Sequence, residues 1–287
     1  MFELALILAA FGGGILGALI GALPAFIFTG FVGLIGMGVI ASGGPATILT
    51  DVTFGALLGP HIAFAGGVAA AAFAANKKGS LESGLDIVTP LKKTNDISVL
   101  FVGGIFGIVG YMINAVYVEL ALKTDTVALT VFTSAIIARL VFGRAGLFAI
   151  FAPKNAEVAA AVDNPKPSIF PDSKTLAFVA FYSLGLGLVI SYLVDLTQID
   201  VLGFVISAAT LIFVQMGFDL PATHHITLVA GYATIATGNI YIGALFAVIS
   251  GVLGEIAGKT FNSNADTFID PPATSIFILS FIVFLFM

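Results

Sequence analysis

The chain has 287 residues, 59% of them hydrophobic and 9% charged, with a net charge of −5 and a mean hydropathy of +1.12. Soluble domains carry about 25% charged residues, so a soluble globular enzyme is excluded and an all-α polytopic membrane protein is expected. The absence of cysteine excludes disulfides and thiolate metal sites.

A helix needs about 20 apolar residues to cross the hydrocarbon, which leaves room for about ten crossings in a single transmembrane domain over 1–287. Phe2 to Ala22 is the first apolar run, with Gly13, Gly17 and Gly21 at the four-residue spacing of a close-packing helix face. Met1 to Ile20 lacks the basic start of a cleavable signal. Pro24 then predicts a break, because proline cannot continue a helix, and Ala25 to Ala41 is the second segment. Gly43-Gly44-Pro45 is a turn. Thr53 to Ala75 is the third segment, kinked at Gly59-Pro60-His61. A polar loop over 76–96 carries Lys77, Lys78, Lys92 and Lys93. Ile97 to Val118 and Thr126 to about Phe151 are the fourth and fifth segments. A second polar loop over 152–174 leads to the sixth, Leu176 to Val194. Val201 to Met216, Thr223 to Gly238 and Tyr241 to Ala257 follow as the seventh to ninth, and Ala273 to Met287 is a short tenth.

Lysine and arginine mark the cytoplasmic side of membrane proteins. Alternation puts the lysine-rich loops 76–96 and 152–174 on one side together with Lys259, which predicts a plasma-membrane protein with those loops cytoplasmic and both termini outside. Short matching words relate the ends of the chain. Gly21 to Ala25 resembles Phe218 to Ala222, and Gly55-Ala56-Leu57 resembles Gly243-Ala244-Leu245. They read as a parallel internal repeat of 1–118 against 201–287, with halves 1–150 and 175–287 joined by the loop 152–174.

The densest polar cluster in the apolar sequence is Gly217 to His225, which holds Asp219, Pro221, Thr223, His224 and His225. Pro221 should end one helix and let another start with both histidines on its first turn. Ionisable groups at membrane depth line cavities or paths, and discontinuous helices leave free backbone groups there for ion and substrate sites. Pro24, His61 and Asp270 join the candidate binding residues on that basis; His61 lies about 12 Å deep at 1.5 Å per residue. Plainer readings stand beside these: interface residues for Asp219, His224 and His225, a packed histidine for His61, a snorkelling Arg139, a helix-end ion pair for Glu255 and Lys259, and a solvated turn for Asn262 to Asp266.

These features favour a secondary transporter or permease for a small solute or ion, coupled to H+ or Na+, with Asp219, His224 and His225 as the relay. A passive channel with paired half-helices is the alternative. A membrane-embedded metal-dependent enzyme, or a subunit of a membrane complex, is a third reading, its metal candidates being His61, His224 and Asp270. Adjacent histidines point about 100° apart on a helix, so one metal would not be held by both. No nucleotide loop, haem motif or HExxH is present, so no cofactor beyond a coupling ion is expected. The partners implied are the lipid bilayer and a small-molecule or ion substrate, with no nucleic acid; the glycine-spaced first helix permits a homo-oligomer.

Overall fold

The computed structural model describes residues 3–148 and 168–286. Among them the chain is all-helical, and an isolated bridge between Gly84 and Thr267 is the one strand-like contact. Helix α1 (Leu4–Ile20) joins α2 (Ala22–Ala41) through Gly21 alone, at φ +97°. The break therefore falls at Gly21. Pro24 lies inside the first turn of α2, where its missing N–H would have had no helical partner anyway.

The expected third segment is shorter than its apolar run. A π-helical turn (Ile48–Thr53) and an irregular stretch precede α3 (Ala63–Asn76), because Gly59 and Pro60 hold the chain out of a helix. The loop after α3 holds a 3-10 turn (Leu91–Thr94) and leads to α4 (Ile97–Glu119). Helix α5 (Thr126–Phe142) stops at Gly143, well before the expected Phe151. Most of the loop 152–174 lies outside the described residues. Helix α6 (Ser173–Thr197) follows, then α7 (Leu202–Thr210) and its continuation α8 (Ile212–Gln215), split at Leu211. The last helices are α9 (His224–Thr237), α10 (Ile240–Asn262) and α11 (Pro271–Phe286).

Four of these helices, α2, α4, α6 and α10, are long and apolar enough to cross a membrane. Helices α1, α3, α5, α9 and α11, and the α7–α8 pair, are apolar but shorter. Asparagine or aspartate starts three of the four long ones. Asp96 caps α4 by accepting the Ser98 N–H at 2.8 Å, Asp172 caps α6 by accepting the Thr175 N–H at 3.0 Å, and Asn239 caps α10 by accepting the Tyr241 N–H at 2.9 Å.

Glycine sets the closest packing. Helix α1 lies against α3 and α4, and a Cβ on Gly14 would overlap the Gly103 carbonyl, while one on Gly17 would overlap the Ala63 carbonyl. Helix α6 lies against α9 and α10. There a Cβ on Gly187 would fall 2.5 Å from that of Ala247, and one on Gly251 would overlap the Ser183 hydroxyl. Helices α2 and α7 cross where Gly30 backs onto Ala208 and Ala209. In such contacts small residues let backbones approach and supply van der Waals contact that lipid cannot. The main apolar cluster gathers Phe26, Phe64, Val131, Phe204, Leu228 and Ile276 at the centre.

Gly14→Val should therefore lower the melting temperature of the detergent-solubilised protein, by overpacking worth about 1–3 kcal/mol. Gly12→Ala meets nothing within 4 Å and should leave the melting temperature unchanged or slightly raised. Equal melting temperatures for the two variants would contradict this packing.

Candidate functional site

Helices α3, α5, α9 and α11 begin around the same internal space. The first amides of a helix have no partner in the helix itself, so each start needs an acceptor or something bound there. Asp125 serves α5: its carboxylate accepts the Ala128 N–H at 2.8 Å and the Tyr232 hydroxyl at 2.8 Å. The Asp125 N–H in turn donates to the Ser280 hydroxyl at 2.8 Å, and the Thr124 hydroxyl donates to the Phe277 carbonyl at 2.7 Å, which ties this start to α11. Asp270 serves α11: it is buried, and its carboxylate accepts the Ala273 N–H at 2.8 Å. Helices α3 and α9 have no side-chain cap.

The start of α9 carries the paired histidines. His224 and His225 are each only 6% exposed, and the Nδ1 of each has no hydrogen-bond partner. The His224 ring lies 4.6 Å from the centre of Phe26 and 5.7 Å from that of Phe204. The Ser250 hydroxyl donates to the His225 carbonyl at 3.0 Å, fixing the first turn of α9 to α10.

Two cavities meet at this point. One, of about 330 Å³, is lined by Phe26, Phe54, Pro60, Phe64, Asp125, Phe204, His224, Tyr232 and Asp270 among others. The other, of about 590 Å³, is lined by Val88, Pro221, His224, His225, Glu255, Lys259 and Asp270 among others. They share Phe26, Phe64, His224 and Asp270.

Of the residues singled out in the sequence, the structure thus brings His224, His225, Asp270 and Pro221 to the cavities. Asp219 is exposed and lines neither cavity. Gly217, at φ +92°, turns the chain out of α8 and the following residues stay non-helical, so nearness in sequence to His224 does not become nearness in space. Thr223 is half-buried, its hydroxyl donating to Ser207 at 3.1 Å. Pro24 lines neither cavity, and His61 is buried beside them, its carbonyl packed on Gly110. Among the described residues no three of His, Asp and Glu converge as a metal ligand set, so His61, His224 and Asp270 are not assembled into a metal centre.

Arg139 does not snorkel. It is 1% exposed and holds the 263–270 loop. Its Nε donates to the Thr267 hydroxyl at 2.8 Å, and its guanidinium donates to the carbonyls of Phe261 at 2.7 Å, Leu147 at 3.1 Å and Thr267, and to the Asn262 side chain at 3.3 Å. That loop ends at Asp270, so Arg139 fixes where α11 begins. Glu255 and Lys259 do not pair; Lys259 donates to the Phe170 carbonyl at 3.3 Å, and Lys78 with Asp96 at 3.1 Å is the ion pair among the described residues.

Two residues were missed in the sequence, Asp125 and Tyr232. Asp125 lies in the connection between the expected fourth and fifth segments. The signal was present: an aspartate directly before an apolar run, as at Asp270. Tyr232 gave none, being one aromatic within an apolar helix.

A family model described as a family of unknown function (DUF7973) matches residues 1–149 and 161–287. The chain belongs to that family. No curated protein and no solved structure matches it.

Arg139→Met should lower the melting temperature by an amount corresponding to about 1–3 kcal/mol for the buried acceptors left unmet, and should make the 263–270 loop sensitive to limited proteolysis. Arg139→Lys should fall short of wild type, because one ammonium cannot span the same acceptors. A wild-type melting curve and cleavage pattern for Arg139→Met would remove this role.

Proposed function

We propose that the protein is a secondary transporter for a small solute or ion, binding it where α3, α5, α9 and α11 begin. One observation carries this reading: helix starts, two of them without a side-chain cap, converge on an internal cavity that joins a second cavity through His224 and Asp270. Helices interrupted inside a membrane domain offer backbone groups and dipole ends to a substrate, and many transporters build their sites that way.

The helix contacts support an inverted repeat, in a register different from the parallel one read in the sequence words. The unit is α1 to α5, and it recurs as α6, α7 with α8, α9, α10 and α11. In the first copy α1 packs on α3 and α4, and α3 on α5; in the second α6 packs on α9 and α10, and α9 on α11. Gly14 meets Gly103 as Gly187 meets Ala247, and Gly110 lies on the His61 carbonyl where Gly254 lies on the His225 ring. His61-Ile62 stands six residues before Gly67 as His225-Ile226 stands before Gly231. A unit with an odd number of crossings reverses its direction on repetition. Ten crossings result, with α3 and α9 as half-helices entering from opposite faces. Inverted repeats of this kind move a central site between two faces by rocking one part against another.

Loops 77–96 and 263–270 touch through Gly84 and Thr267, and the Asn76 side chain donates to the Asp266 carbonyl at 2.9 Å. This supports a shared face, which the lysines make cytoplasmic, in the plasma membrane. The relay then consists of His224, His225 and Asp270, with H+ or Na+ as the coupling ion. Exposed Asp219 plays no part in it.

In reconstituted vesicles, His224→Ala with His225→Ala should abolish gradient-driven uptake while the melting temperature stays within a few degrees of wild type. Full uptake by the folded double variant would remove the relay, and flux that needs no gradient would favour a channel. A reporter fused after Met287 should read out as non-cytoplasmic; a cytoplasmic readout would refute the ten-crossing arrangement.

A further inference from the structure

The smaller cavity is built from paired positions of the two repeats. Phe26 answers Phe204, Phe64 answers Leu228, Asp125 answers Asp270, and Val131 answers Ile276; all eight line it. Phe26 and Phe204 touch each other, ring centres 5.5 Å apart, as residues on the axis of a two-fold relation must. The cavity therefore sits on that axis and presents one carboxylate from each copy.

Its lining chemistry selects a ligand. The charged side chains among the lining residues are Asp125 and Asp270, with no lysine or arginine. The nearby guanidinium, Arg139, is spent on the carbonyls and side chains of the 261–267 region and Leu147. An anion is disfavoured at the starts of α5 and α11, which the chain's own carboxylates already fill. At α3 the Ala63 and Ala65 amides already donate to the Gly59 and Pro60 carbonyls, and the space before α9 is lined by the same two carboxylates. Carboxylates in apolar surroundings call for a positive partner. Around them stand Phe26, Phe54, Phe64 and Phe204, and aromatic faces attract organic cations. His224 adds an Nδ1 that is buried and without a partner, on a ring lining the same space. With the proton on Nε2, that nitrogen accepts a hydrogen bond, which favours an N–H-bearing ammonium over a quaternary one. The volume, about 330 Å³, lies at the lower end of ligand pockets, about 300–1,000 Å³.

We propose that this cavity binds a small alkylammonium ion, with Asp125 and Asp270 as its carboxylate partners, His224 as a hydrogen-bond acceptor, and the phenylalanines around its apolar chain. The assignment rests on the transporter reading for the choice of cavity, and it names that transporter's substrate class.

Purified full-length protein is titrated with n-butylammonium, tetramethylammonium, butyrate and sodium, and binding is read by calorimetry and by the shift in melting temperature. Butylammonium should bind more tightly than the other three. Asp125→Asn and Asp270→Asn should each weaken it about tenfold or more, the loss of one charge-assisted bond; asparagine still caps a helix, so both should fold. If either fails to fold, the ranking of the four ligands on the wild-type protein decides. Butyrate binding more tightly than butylammonium, or folded Asn variants with wild-type affinity, overturns the proposal. Butylammonium binding without uptake in vesicles keeps the cation site and sinks the transporter reading. Uptake of an anion that depends on His224 keeps the transporter and sinks the cation site.

Discussion

A helix that starts inside apolar packing exposes amides that nothing around it can satisfy, and this constraint shapes the centre of the molecule. Two of the four central starts are answered from within the chain, by Asp125 on α5 and Asp270 on α11. The other two, on α3 and α9, have no side-chain cap. The cavity lies where these starts converge. The polar groups there are held by their neighbours: Asp125 by Tyr232 and Ser280, Asp270 by the loop that Arg139 secures, and the first turn of α9 by Ser250.

Around this centre the helices are drawn together by the absence of side chains. Gly14 with Gly103, Gly17 with Ala63, and Gly30 with Ala208 place backbone against backbone. Apolar burial gives helices in lipid little reason to associate, so the close approach itself must supply the attraction. Close contacts of this kind occur in both halves of the chain, Gly14 on Gly103 in the first and Gly187 on Ala247 in the second.

The class of fold was legible from composition, and most helix positions from apolar runs bounded by glycine, proline and capping residues. Ile97 is both the expected and the observed start of α4, and His224 is within one residue of the expected start of α9. Misplaced boundaries have physical causes. Pro24 looks like a break because proline ends helices, yet in a first turn it costs nothing. Thr53 to Ile62 is as apolar as a helix, but Gly59 and Pro60 hold it open. The repeat was sought in short words of common residues, whereas the inverted register proposed above is argued from helix contacts, which no short word records.

The sequence by itself determined that the chain is helical and apolar, and that His224, His225 and Asp270 are polar groups set among residues that exclude water. Hydropathy is a local property, so these features need no partner to be read. Only the tertiary structure decided which of the polar groups meet. It drew Asp125, more than a hundred residues from Asp270 in the chain, to the same cavity, and left Asp219 outside although it lies beside His224 in sequence. Burial and proximity come from how helices far apart in sequence pack, and a single residue's type carries no record of that.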